Sequence, residues 1–268
     1  MIPAAFEYAR ATSVDEASKL LQQYGEDAKV LAGGHSLIPL MRLRLSQPSA
    51  LVDINPVKEL NYIVRENGKL RIGAMTRHVQ IHSSREVREA LPLLSEMAFE
   101  VGDNQVRNLG TMGGVIAHGD TAGDYPTLAV MLDAEIVTNK RRHMASEFFK
   151  DVLTTALEPD EIVCEVVFPV AGGRHKYVKF RRRLFDWAIV AAAAQEMDRG
   201  WRIGLTNVGT TPVRAVAVEQ ALGQGASPQQ AAEQADQGLH PSGDIRATPE
   251  YKKHLARVLT RRAIEQAA

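Results

Sequence analysis

The chain has 268 residues, 45% hydrophobic and 24% charged, and its 32 basic and 32 acidic side chains balance to a formal charge of zero. That length can bury a large core in two or three subdomains, while the charge balance gives no sign of a polyanion, so no nucleic-acid partner is expected. The single cysteine, Cys164, rules out an internal disulfide, a CxxC redox pair and a cysteine-held iron–sulfur cluster within the chain.

Ser13-Val14-Asp15-Glu16 predicts a capping box with Ser13 as N-cap and Glu16 at N3. The helix it opens carries Ala17, Leu20, Leu21 and Tyr24 on one face and stops at Gly25. AKVLA (28–32) reads as a short buried strand, His35 or Ser36 as the cap of a helix through Leu37–Leu45, and LVDI (51–54) as the returning strand. From about residue 58 a second unit begins, with a hairpin over 62–74 that turns at Asn67-Gly68. Thr76 opens a short helix, and 85–102 is predicted helical through Pro92. The stretch 103–124 has little periodicity and reads as a long functional loop. AEIVTNK, RHMAS and EIVCEVVFP (161–169) supply further strands, with Cys164 as a small buried strand residue. After a linker near 170–175, KYVKFRRR and DWAIVAAAAQEM-DRG-WRIGLTNV predict antiparallel strands turning at Asp198-Arg199-Gly200. Ser227-Pro228 and Thr248-Pro249 each place an N-cap before a proline at N1, so two helices follow, and the polar segment 223–247 is expected to be exposed. No run approaches the roughly 18 apolar residues of a membrane span. The N-terminus lacks a signal peptide's basic start and apolar run, so the expectation is a cytoplasmic protein without a membrane span.

Two glycine pairs stand out, Gly33-Gly34 in AGGHSLIP (32–39) and Gly113-Gly114 in TMGGVIAHGDTAGDYP (111–126). Backbone without Cβ atoms can approach a bulky anion and turn its N–H groups toward the oxygens, so two such loops could wrap a diphosphate from both sides. In the first, strand, glycine turn and helix N-terminus follow in an order that suits a phosphate. Neither pair fits GxGxxG with an acid about 20 residues on, or GxxxxGK[ST]; the alternative is that each is a tight turn. His35 has no second and third ligand in its loop, which argues against a metal site. His118 and Asp120 lack the nucleophile in a strained elbow that a hydrolase needs. Asp120 and Asp124 are spaced to sit around a ribose, with an Asx turn as the other reading of Asp120. Lys179, Arg181 and Arg183 alternate, which also fits a solvated strand face.

AGGHSLIPLMRLRL followed by LVDIN, then QVRNLGTMGGVIAHGDTAGDYP and KFRRRLFDWA, closely resemble the FAD-binding medium subunit of the molybdenum hydroxylases, the family of aerobic carbon monoxide dehydrogenase, xanthine dehydrogenase and several N-heterocycle hydroxylases. The resemblance runs over nearly the whole chain. It implies an α+β fold of the vanillyl-alcohol-oxidase type: two α/β FAD-binding subdomains at 1–57 and 58–174, then a C-terminal domain of antiparallel sheet plus helices at 175–268. It implies FAD as cofactor, with Ala32, Gly33, Gly34, His35 and Ser36 cradling the pyrophosphate and Leu31, Leu37 and Ile38 beside them. Further contacts fall on Val101, Thr111, Met112, Gly113, Gly114, Val115, Asp120, Asp124 and Ile162, with Lys179 as a cation reaching the flavin region. Two positions depart from the family: Val115 stands where a polar residue is usual, and Thr121 replaces the proline after the first aspartate. The implied function is electron transfer from the [2Fe–2S] clusters of a small subunit to an external acceptor, beside a large molybdopterin subunit, in a dimer of heterotrimers. A self-contained flavin reductase and a structural subunit with a degenerate flavin pocket are the alternatives.

Overall fold

The computed structural model describes residues 2–267. The first unit is a three-stranded parallel sheet in which Ala50–Asp53 runs between Glu7–Arg10 and Lys29–Leu31. The helix Val14–Tyr24 covers it, burying Ala17 and Leu21, and ends at Gly25 with φ 81°. Ser13 caps it by accepting from the Glu16 N–H, but the Glu16 carboxylate bonds Thr12 rather than returning to Ser13. The next helix is shorter than expected, Leu37–Arg42, because the backbone turns left-handed at Arg44 with φ 58°.

The second unit is a five-stranded sheet of antiparallel pairs, ordered Ile63–Glu66, Lys69–Gly73, Val163–Pro169, Glu135–Thr138, Arg142–Met144. Its hairpin turns at Asn67 (φ 49°) and Gly68 (φ 72°), the positive-φ pair that matches strand twist. Pro92 does not lie within a helix as expected. Lacking an N–H, it starts a new one, Pro92–Phe99, after Arg85–Ala90. The stretch 103–124 is not a long loop either. It holds the helices Asn104–Leu109 and Met112–His118, capped by Asp103 and Thr111, and runs into Asp124–Met131. Cys164 is half-buried at a bulge of the central strand, where its thiol donates to the Ile162 carbonyl and burial pushes its pKa up to about 11.

The third unit is a four-stranded antiparallel sheet, His175–Phe180, Val190–Met197, Gly200–Thr206 and Val213–Arg214, backed by the helix Pro249–Glu265. The alanine run explains how it joins the rest. Ala191 and Ala193 pack into the core of the second unit, whereas Ala192 and Ala194 face Leu255, Ala256 and Leu259 of the long helix. Larger side chains would hold both layers off the sheet. Ser227 and Thr248 cap their helices as expected. The segment 223–247 is less exposed than expected, since its own Ala231, Ala232, Ala235 and Leu239 are buried.

Candidate functional site

The strand Lys29–Leu31 delivers Ala32–Ser36 to the rim of a cleft of about 700 Å³, a volume in the range of cofactor sites. Gly34 takes φ +72°, and Gly33 lies so close to the neighbouring segment that a Cβ there would stand 2.3 Å from the Leu109 carbonyl oxygen and 2.9 Å from Gly110 Cα. Among the described residues nothing accepts a hydrogen bond from the consecutive N–H groups of Gly33, Gly34, His35, Ser36 and Leu37. Ile38 is the first to return inward, donating to Gly34 O at 2.9 Å. A row of unpaired donors beside a cleft fits a group rich in anionic oxygens. Ser36 adds a hydroxyl, which makes no cap bond of its own.

The second glycine pair works differently from the first. Gly113 donates to Ala74 O at 2.8 Å and packs so tightly on that residue that a Cβ would meet Ala74 Cβ at 2.5 Å. Gly114 donates to the capping hydroxyl of Thr111 at 3.1 Å. These donors are spent on the fold, so this motif offers the cleft the Thr111 hydroxyl and the bare flank of Gly114 rather than a nest of N–H groups. The two glycine pairs thus differ in what they present to the cleft.

Ala32, Gly33, Gly34, His35, Ser36, Leu37, Val101, Thr111, Gly113, Gly114, Val115, Asp124, Ile162 and Lys179 all line the cleft. Leu31, Ile38, Met112 and Asp120 do not. Leu31 lends its carbonyl to the Ile54 N–H, and Ile38 folds back over Gly34 with 43% of its surface exposed. Met112 is wholly buried in the main core. The Asp120 carboxylate accepts from the Ala122 N–H at 2.9 Å, the Asx turn that was its other reading.

Asp124 and Lys179 meet each other at the cleft wall. Both side chains are buried, 4% and 3% exposed, and paired at 3.0 Å. Lys179 also donates to Glu100 O at 3.0 Å, and the Tyr177 hydroxyl donates to Asp124. Burial pushes the Asp124 carboxyl up from the usual range, against the pull of Lys179 and Tyr177. Lys179 is therefore no free cation, and most of the Asp124 acceptor capacity is already used. Arg181 likewise pairs with Glu100, so Lys179 and Arg181 clasp the third unit to the end of the helix Pro92–Phe99, whereas Arg183 is exposed as the solvated reading has it.

Glu161 and His78, both on the cleft, were not singled out in the sequence. Glu161 lies in the cleft wall with its side chain fully buried; burial would raise its carboxyl, but donations from Thr138, His143, the Glu158 N–H and Arg141 hold it at about 2. Its side-chain donors come from 138–143, and only the Glu158 N–H is local. His78 lines the cleft as a neutral imidazole, driven by burial to about 3. Phe185, at φ 74°, and Trp187 stand at the cleft with about half their surfaces exposed.

The comparisons with known proteins agree with this geometry. Residues 4–171 match the family described as "FAD binding domain in molybdopterin dehydrogenase", and residues 175–267 match "CO dehydrogenase flavoprotein C-terminal domain". The chain is 39% identical to the carbon monoxide dehydrogenase medium chain of Hydrogenophaga pseudoflava, across 100% of this chain and 98% of that one. It is 33% identical to the glyceraldehyde dehydrogenase medium chain of Sulfolobus acidocaldarius, across the whole of both. A solved structure of carbon monoxide dehydrogenase from Hydrogenophaga pseudoflava, lacking the Mo-pyranopterin moiety, superposes with a TM-score of 0.95 at 42% identity, over 100% of this chain and 98% of that one. The chain thus belongs to the FAD-binding medium subunits of the molybdenum hydroxylases, an oxidoreductase family, and FAD is its cofactor.

Proposed function

We propose that this chain is the electron-transfer subunit of a three-subunit molybdenum hydroxylase, taking electrons from the [2Fe–2S] clusters of a small subunit and passing them to an external acceptor. The observation that carries the reading is the row of unpaired N–H groups from Gly33 to Leu37 on the cleft of a chain that matches medium subunits end to end. Bound FAD supplies the chemistry of taking single electrons and delivering a pair. The chain's own part is to hold and shield it. In this reading the N–H groups of Gly33–Leu37 and the Ser36 hydroxyl meet the diphosphate, and Thr111 and Gly114 approach from the facing segment. Val101, Val115 and Ile162 give the cleft apolar walls that limit water.

One cysteine cannot hold an iron–sulfur cluster, so cluster electrons reach the cleft only if a cluster-bearing subunit docks nearby. No described helix is long and apolar enough to cross a membrane, and the reading places the complex in the cytoplasm. The folding units are proposed as 1–57, 58–174 and 175–268. Co-expression with the genes for the small iron–sulfur and large molybdopterin subunits is expected to yield a dimer of heterotrimers containing this chain. Recovery of the chain only as a lone monomer from such cells, with the other two assembled, would overturn the reading.

A further inference from the structure

The strand Ala50–Asp53 ends in Asp53-Ile54-Asn55, a segment whose side chains have so far been given no task. The Asn55 side-chain amide donates to Ala32 O at 2.9 Å and to Asp53 Oδ1 at 2.6 Å, and the Asn55 backbone N–H donates to the same Oδ1 at 2.9 Å. The Tyr8 hydroxyl fixes the other carboxylate oxygen at 2.6 Å. On its opposite side Asn55 Oδ1 accepts from Arg77 at 2.6 Å. The other arm of that guanidinium donates to the Leu109 carbonyl. This is the same oxygen that a Cβ on Gly33 would strike at 2.3 Å.

We infer that Asn55 and Arg77 form a clamp that sets the spacing between the first glycine loop and the segment Leu109–Thr111, and so positions the backbone donors that receive the FAD diphosphate. An asparagine side chain offers a donor and an acceptor at fixed separation, and both are used here in opposite directions. Its orientation is settled by its neighbours, since two acceptors face the nitrogen and a guanidinium faces the oxygen. The planar fork of Arg77 reaches two acceptors at once, which an ammonium does not match. Neither side chain lines the cleft, so both act through the loops they hold and are positioning residues. Asn55 is exposed and Arg77 half-buried, so water can replace each lost bond. Removing the clamp is therefore expected to release the spacing without unfolding the chain.

The inference rests on the assignment of the first glycine loop to the diphosphate. The test is FAD titration of the deflavinated full chain for Asn55→Ala, Arg77→Met and the double variant, beside the melting temperature of each without FAD. Each single change is expected to weaken FAD binding by about tenfold or more. The double should be no weaker than the worse single, because the two act as one unit, and the FAD-free melting temperatures should match the parent's. Arg77→Lys keeps the charge but serves one acceptor; it should fall between, and it serves if Arg77→Met does not fold. Parental affinity in either single, strictly additive losses, or losses matched by a collapse of the FAD-free melting temperature would overturn the clamp. Loss of FAD by Gly33→Val alongside intact binding in the clamp variants would remove the clamp alone, whereas FAD retained by Gly33→Val would remove the loop assignment itself.

Discussion

Gly33→Val is expected to leave the chain folded but unable to retain FAD through gel filtration. The new Cβ would sit 2.3 Å from Leu109 O and 2.9 Å from Gly110 Cα, both backbone atoms that cannot swing aside as a side chain can. The first glycine loop must move off its neighbour and carry its unpaired N–H groups with it. Overpacking of this kind costs about 1–3 kcal/mol, which corresponds to roughly a fivefold to 150-fold loss of affinity when it falls on the bound state. Gly114→Ala is the informative contrast. A Cβ there meets only the Thr111 hydroxyl at 2.7 Å, so its effect on FAD should be smaller and come through a weakened helix cap. The flavin-to-protein ratio of both variants checks this, and full flavin in Gly33→Val would separate the loop from the cofactor.

Asp124→Ala is expected to produce the largest loss of stability, about 3–5 kcal/mol, because it strands a buried ammonium. Lys179 is 3% exposed and would keep only the Glu100 carbonyl, and the buried Tyr177 hydroxyl would lose its acceptor as well. Asp124→Leu combined with Lys179→Met should recover most of that loss, since an apolar pair leaves no charge unpaired. Denaturant midpoints of the single and double variants measure both effects. A loss under about 1 kcal/mol for Asp124→Ala would mean that water reaches the pair and that its burial contributes little. The pairing also changes what Lys179 can do to a flavin. A cation with its counter-ion 3.0 Å away presents a dipole, whose field falls off faster than that of a lone charge.

The difference between what could and could not be read in the sequence follows the range of the interactions. Asn67-Gly68, Ser227-Pro228 and Thr248-Pro249 are local signals, and each marks its turn or helix start where expected. The first glycine loop was legible for the same reason, lying between a short strand and a helix start. The helices of 103–131 were not. Two of them have six and seven residues, too few to show a period, and Asp124–Met131 is buried on nearly every side, so no polar face alternates with an apolar one. The pairing of Asp124 with Lys179 was not legible because it spans 55 residues of sequence and leaves no local trace. The same holds for Glu161, whose side-chain donors Thr138, Arg141 and His143 lie 18 to 23 residues away, and for the bonds from Asn55 to Ala32 and Arg77. Family resemblance pointed to the cleft; only the fold shows which residues face it and which are spent on holding it.

In the proposed role, electrons enter this chain's flavin through the iron–sulfur subunit. Anaerobic rapid mixing tests it most directly, with flavin absorbance followed after carbon monoxide, an aldehyde or an N-heterocycle is added, the substrate being whichever the molybdenum subunit turns over. The complete three-subunit complex should bleach its flavin, and a preparation of this chain with the large subunit alone should not. Bleaching without the small subunit, or a flavin that stays oxidised in the complete complex while the clusters are reduced, would contradict the account.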